Sequence, residues 1–293
     1  MFKVGSEIGF QNCRPVESGL VACFRCQLSP TLRQISANMK TLLFLASLFL
    51  FALPGLAQRS GSVKIHAHND YEKPVPLRTA LDNRADYIEA DVWLLNGKLM
   101  VAHDRKDINP ARTLDSLYLN PIVRLFTQHK GRISTDRTYS PALVIDIKDK
   151  FEEVWPVLQS LLSRHIDTFN PLSNPNGVQI ILSGNRPRVE LMLDYPLFIQ
   201  FDGRSTEIYD DETSKRVALI SDSFRSYSRW DGTGDIPDED REKLKRIIRR
   251  AHNQKKMIRF WAIPDTPNAW KQLRKLSVDV LNTDNVAECR AAL

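Results

Sequence analysis

Three histidines, His66, His68 and His103, and three carboxylates, Glu89, Asp91 and Asp146, are spaced for joint chemistry. They stand in the segments His66-Ala67-His68-Asn69-Asp70-Tyr71, Glu89-Ala90-Asp91-Val92-Trp93, His103-Asp104 and Asp146-Ile147-Lys148-Asp149. Glu89 and Asp91 are two apart in a strand-like run, so their side chains share one face. Two carboxylates on one face repel each other unless a cation or a proton compensates. With Asp146 they can form an oxygen-only donor set, and hard oxygen ligands select one divalent cation, Mg2+ or Ca2+, over zinc. Taken alone, the acid pair reads first as a structural cluster satisfied by Lys148 or an arginine. The histidines add chemistry, because imidazole near neutral pH takes a proton from a nucleophile and returns one to a leaving group. His129, His165 and His252 fall in helical segments and read as surface or core residues.

The elements that must position these groups follow from the hydrophobic pattern. Short apolar runs at residues 63–67, 87–94, 143–147, 178–182, 197–201, 217–220, 257–262 and 280–281 alternate with helix-period segments. Several are near-continuously apolar, as expected of parallel strands buried on both faces. Eight such runs predict a single (β/α)8 barrel. A ninth, residues 98–102, follows Asn96-Gly97, which favours a two-residue turn between antiparallel strands. It predicts a β-hairpin leaving the second strand. The helices are expected at 77–85, 113–129, 151–164, 186–193, 238–254 and 267–276, with 204–216 too polar for a good one. Every reactive cluster then sits at the C-terminal end of a strand, the face where barrel active sites form. Trp93, Trp230, Trp261 and Tyr71 lie near strand ends and can wall an apolar leaving group, Trp261 being the best placed.

Within this pattern the residues resemble the phosphatidylinositol-specific phospholipase C-like phosphodiesterases, which include glycerophosphodiester phosphodiesterases and spider-venom sphingomyelinase D. His68-Asn69-Asp70-Tyr71 resembles the His-Asn-x-Tyr of the calcium-dependent phospholipases C. Residues 88–93 (IEADVW) and 101–104 (VAHD) are similar to the superfamily's E-x-D strand and following His-Asp, and 144–148 (VIDIK) to its third metal-ligand strand. FWAIPD, 260–265, and LNTD, 281–284, resemble the last two strands of the glycerophosphodiesterases. The resemblance implies a metal-dependent phosphodiesterase acting on a glycerol- or inositol-type, lipid-related diester. His68 and His103 would be the acid/base pair. Glu89, Asp91, Asp146 and Asn69 would hold the metal, and Lys148 would meet a phosphate oxygen. His66 competes with His68 for the first catalytic position or contacts substrate. The His-Arg-Gly that follows strand 1 in glycerophosphodiesterases is missing, so the usual phosphate-binding arginine is absent there.

Two rival readings remain open on the sequence. His66-x-His68, with Asp284 after the last strand, also matches an amidohydrolase-like metal hydrolase. The histidines that family needs later are replaced by Ser183-Gly184-Asn185 and Ser221-Asp222-Ser223. The other rival is a barrel that binds phosphorylated ligands without turning them over.

Composition bounds the rest. The chain has 293 residues, 42% hydrophobic and 26% charged, which excludes a disordered polymer, a disulfide miniprotein and a multi-pass membrane protein. Residues 42–53 form an apolar run after Met39-Lys40-Thr41 and before Pro54-Gly55-Leu56-Ala57. It is too short to span a bilayer and suits a secretory signal peptide, with translation starting at Met39 and cleavage after Ala57. Residues 1–57 hold five of the basic residues, two of the acidic ones and three of the four cysteines. An exported protein, periplasmic or secreted, is therefore expected to keep 236 residues, a net charge of +3 and one thiol, Cys289. That balance gives no nucleic-acid footprint. The basic face of the segment 238–254 is the one place for a peripheral membrane contact. No linker or repeat divides residues 58–293, so they are expected to form one domain.

Overall fold

The computed structural model describes residues 62–293. The predicted signal peptide, its cleavage point and Cys13, Cys23 and Cys26 lie outside the described residues. Among the described residues nine strands occur: β1 (Lys64–Ala67), β2 (Tyr87–Leu95), β3 (Lys98–Val101), β4 (Ala142–Ile147), β5 (Ile180–Gly184), β6 (Ile199–Gly203), β7 (Val217–Ser223), β8 (Ile258–Trp261) and β9 (Val280–Thr283). Eight are parallel, and β1 pairs with both β2 and β9, which closes the expected (β/α)8 barrel. β3 runs antiparallel to β2. Asn96 and Gly97 between them both take positive φ, 51° and 71°, the turn geometry that matches strand twist.

The barrel interior is built in layers by the period-two alternation of its strands. At the N-terminal end, Tyr87, Val144, Ile181, Leu219 and Val280 form an apolar plug. Two residues further along each of these strands stand Glu89, Asp146, Ser183, Ser221 and Asn282. The interior therefore changes from apolar to polar toward the C-terminal mouth. Outside the strands a larger apolar core, including Ile65, Phe169, Phe201, Phe224, Phe260 and Trp270, joins barrel to helices.

Several expected boundaries shift for local reasons. β5 and β6 begin two residues late, because the N–H groups of Val178 and Ile199 are committed to Thr168 and Pro196 carbonyls. Both strands run on to Gly184 and Gly203. The expected helix 113–129 opens as a wide π-helical turn at Asp115–Leu119, where the Asn120 N–H reaches back five residues to Asp115, and continues as Asn120–Gln128. Pro121, at the start of the regular part, has no N–H to offer. The expected helix 186–193 is a tight 3-10 stretch, Val189–Asp194. Pro187 disfavours helical backbone at Arg186 and delays its start. In the polar segment 204–216 only Asp211–Arg216 is helical, capped by the Asp210 carboxylate accepting from Thr213 N–H at 2.7 Å.

Candidate active site

The floor of the mouth is a buried charged layer. Arg259, from β8, spans it. One guanidinium nitrogen donates to Glu89 at 3.0 Å and the other to Asp202 at 3.3 Å. Asp202, from β6, also accepts from the Ser183 hydroxyl at 2.8 Å. His66 Nε2 lies 2.7 Å from Glu89 Oε2 and 2.6 Å from the same Arg259 nitrogen. Burial, helped by the Arg259 charge, drives the His66 pKa down to about 4, so the ring is neutral at pH 7. Burial opposes ionisation of Glu89, but His66 and Arg259 hold it well below the usual carboxylate range.

Above this floor the acidic residues converge. Ligand oxygens of Glu89, Asp91 and Asp146 all lie within 4.8 Å of one another. Lys148, two residues beyond Asp146 on the same face, places Nζ 2.9 Å from Asp91 and 3.0 Å from Asp146. Burial and the Glu89 charge still push Asp91 up to about 6, against the pull of Lys148, and Asp146 rises for the same causes. Asp91 Oδ1 and Asp146 Oδ1 are buried with no hydrogen-bond partner among the described residues. Unpaired buried carboxylate oxygens are costly unless a ligand takes them. The donor set is all oxygen, so these three residues fit a hard divalent cation.

Two histidines flank the acids from opposite partners. His68 Nδ1 makes a 2.7 Å hydrogen bond with Asp284 Oδ1, leaving Nε2 3.8 Å from Glu89. Burial lowers the His68 pKa, but the Asp284 bond and the Glu89 charge outweigh it and raise the value above the ordinary histidine. Asp284 is itself braced, its N–H donating to the Asp265 carboxylate at 3.0 Å. His103, delivered by the hairpin, has Nδ1 3.3 Å from the Tyr71 hydroxyl and 3.5 Å from Asp91. The Tyr71 hydroxyl lies 2.7 Å from Asn69 Oδ1 and 2.9 Å from Asp91 Oδ2, and its single proton serves one of them. Asp70 serves the scaffold, accepting from Leu77 N–H and the Tyr118 hydroxyl at 2.6 and 2.9 Å.

An open cleft of about 420 Å³ brings most of these groups together; its lining includes His68, Glu89, His103, Asp146, Lys148 and Trp261. Trp93, Asn185, Arg204 and Arg259 also line it. Trp261 is 42% exposed, whereas Trp230 is buried in the core and Tyr71 is buried beneath the site, so neither walls the cleft. His66, 1% exposed, does not reach the cleft either. It shares a face with His68 but sits one layer deeper, which corrects its reading as a substrate contact. Asn69 sits beside the acids through Tyr71, its amide nitrogen 3.4 Å from Asp284. The amidohydrolase-like histidine pair does not meet in the cleft, since His66 is held by Glu89 and Arg259 beneath it while His68 lines it. Among the described residues the cluster of three or more ligand groups is all carboxylate. Arg259, inside β8, and Arg204, after β6, carried no signal in the sequence beyond those positions, and Asp284 was read as the end of the LNTD motif and for the rival chemistry.

Residues 56–187 match the AIM6-like phosphodiesterase domain. The resemblance to the phosphodiesterase superfamily therefore holds. The chain is 29% identical over 277 residues to altered inheritance of mitochondria protein 6 of Eremothecium gossypii, covering 76% of this chain and 67% of that protein. It is 27% identical over 263 residues to the homolog in Arthroderma benhamiae, covering 76% and 82%. Among solved structures, a glycerophosphodiester phosphodiesterase from Parabacteroides distasonis shares the barrel at TM-score 0.50 and 13% identity. The match covers 78% of this chain and 95% of that one.

Proposed function

We propose that the chain is an exported metal-dependent phosphodiesterase that cleaves a glycerol- or inositol-type, lipid-related diester by two-histidine acid/base catalysis. The observation that carries this reading is the convergence in one cleft of two histidines, each within 4.0 Å of a different member of a carboxylate cluster with unpaired buried oxygens. Glu89, Asp91 and Asp146 would hold the divalent cation, with Asn69 at its edge. When bound, Mg2+ or Ca2+ supplies positive charge against the non-bridging oxygens, where charge builds in the transition state.

The chain's own side chains do the rest. Asp284 holds Nδ1 of His68, so Nε2 is the working atom, and it faces the cleft side of Glu89. His103 has Nδ1 turned to Tyr71 and Asp91, which also leaves Nε2 as the working atom. One imidazole removes the proton of the attacking hydroxyl, supplied by water or by the substrate itself. The other protonates the departing alkoxide. Lys148 adds a positive charge for the phosphate, and Trp93 and Trp261 offer apolar surface to the alcohol group.

The test is 31P NMR of the protein with a panel of glycerophosphodiesters and phosphoinositides, with Mg2+ or Ca2+ and with chelator. Release of a phosphomonoester or a cyclic phosphate that stops with chelator, His68→Ala or His103→Ala is the expected result. Binding of diesters with no turnover under any of these conditions overturns the reading in favour of a binding module.

A further inference from the structure

The charged groups of the mouth include a buried cation, Arg259, and a half-buried one, Lys148, with opposite freedom. Arg259 is locked at both ends, between Glu89 and Asp202, and cannot leave without taking the arginine from buried Glu89 and leaving Asp202 to Arg204 alone. Lys148 is different. Its backbone is pinned, with its N–H donating to the Val92 carbonyl at 3.0 Å and its carbonyl accepting from Asn185 Nδ2 at 3.0 Å. Its side chain is a four-carbon stem lying along the open cleft.

We propose that Lys148 is a tethered counter-cation with two positions. It holds the acid cluster together before a divalent ion enters and is displaced onto the phosphate of the substrate when the ion binds. This rests on the metal-site reading given above and adds a coupling between the ion and the anion.

Three observations carry it. Among the described residues Lys148 is the one lysine or arginine within 4.0 Å of Asp91 or Asp146, and it touches both. It uses only one oxygen of each, since Oδ1 of both aspartates stays buried and unpartnered. The ammonium thus offsets part of the pair's negative charge without filling the site. Finally, it lines the same cleft as His68 and His103, so the position it moves to is the one where a phosphate would lie.

The physical consequence is competition followed by cooperation. An ion held by the same carboxylates would repel the ammonium that sits 2.9 and 3.0 Å from two of them. The displaced ammonium is then free to pair with an anion. Ion binding must therefore strengthen phosphate binding, and by linkage phosphate must strengthen ion binding by the same factor.

The experiment is calorimetric titration of the full chain with MgCl2, with inorganic phosphate, and with each in the presence of the other. The wild type is expected to bind Mg2+ weakly alone and more tightly with phosphate. If Lys148 occupies the cluster in about nine of ten molecules, Lys148→Met binds Mg2+ about tenfold more tightly in the absence of phosphate. The enhancement by phosphate shrinks in the same variant. Lys148→Gln, which keeps a polar head, repeats the test should the methionine variant fold poorly, and Asp146→Asn is expected to abolish ion binding. Independent binding of Mg2+ and phosphate to the wild type overturns the proposal without any variant. Equal Mg2+ affinity in wild type and both Lys148 variants overturns it alone and leaves the metal site standing. Absence of Mg2+ binding in all three proteins, and of Ca2+ binding when the titration is repeated with CaCl2, overturns the metal reading and this proposal together.

Discussion

Replacing Asp284 by Asn removes a charge while keeping the shape of the side chain, and it isolates what the His68–Asp284 pair contributes. A hydrogen bond between charged partners is worth roughly 1.5–3 kcal/mol when shielded from water. Here the side chains are 28% and 42% exposed. Solvent screening at that exposure cuts the figure to about 1 kcal/mol. The sign with pH follows from both partners. The folded-state pKa of His68 is raised, so its contribution is complete below the unfolded value and is lost as pH rises through the folded one. Burial resists ionisation of Asp284, but the His68 bond and charge hold its pKa below the ordinary carboxylate. Its contribution is present above its unfolded value and is lost as pH falls. The pair stabilises most in the weakly acidic window between these limits. Above it, the neutral ring still donates Nδ1–H to the carboxylate, so only the charge part disappears. Urea denaturation of wild type and Asp284→Asn in chelator, at about pH 6 and about pH 9, is the assay. The variant is expected to lose about 1 kcal/mol more at the lower pH. The His68 pKa, followed by NMR, is expected to fall in the variant. An equal loss at both pH values would show that the pair is not ionic and refute the reasoning.

Four further outcomes follow from the geometry. His103→Ala, at a side chain 52% exposed, should change stability by less than about 0.5 kcal/mol in urea while lowering turnover by about 10²–10⁴-fold. Asp146→Asn should remove the thermal stabilisation that Mg2+ or Ca2+ gives the wild type and cost turnover at least about a hundredfold, measured with chelator controls. Arg259→Met should cost about 3–5 kcal/mol in urea, because it leaves Glu89 buried without its arginine and Asp202 with Arg204 alone. At Gly184 φ is +67° and a Cβ would collide with Asp146 Oδ1 and the Ile147 backbone. Gly184→Ala should therefore displace Asp146 and weaken Mg2+ binding by calorimetry, with about 1–3 kcal/mol of destabilisation.

Much of the site was legible because its parts are local. Glu89 and Asp91 share a face by period two, Asn96-Gly97 announces the hairpin that carries His103, and Asp146 and Lys148 repeat the same spacing one strand on. The layer a residue occupies was less legible. His66 and His68 have the same alternation, and only the height of β1 in the closed barrel puts one under the floor and the other in the cleft.

The amino-acid sequence by itself determined the alternation of strand and helix, the hairpin, and which side chains point into the barrel, because each depends on residues a few positions apart. What joins those residues into a site was decided by tertiary structure. Asp284 meets His68 across 216 residues because β9 closes against β1 in a register that pairs Ala67 with Thr283. Arg259 reaches Glu89 and Asp202 across 170 and 57 residues because three non-adjacent strands face one interior. No local pattern specifies such partners, since what selects them is the cost of leaving a charge buried and unpaired in a barrel that must first close.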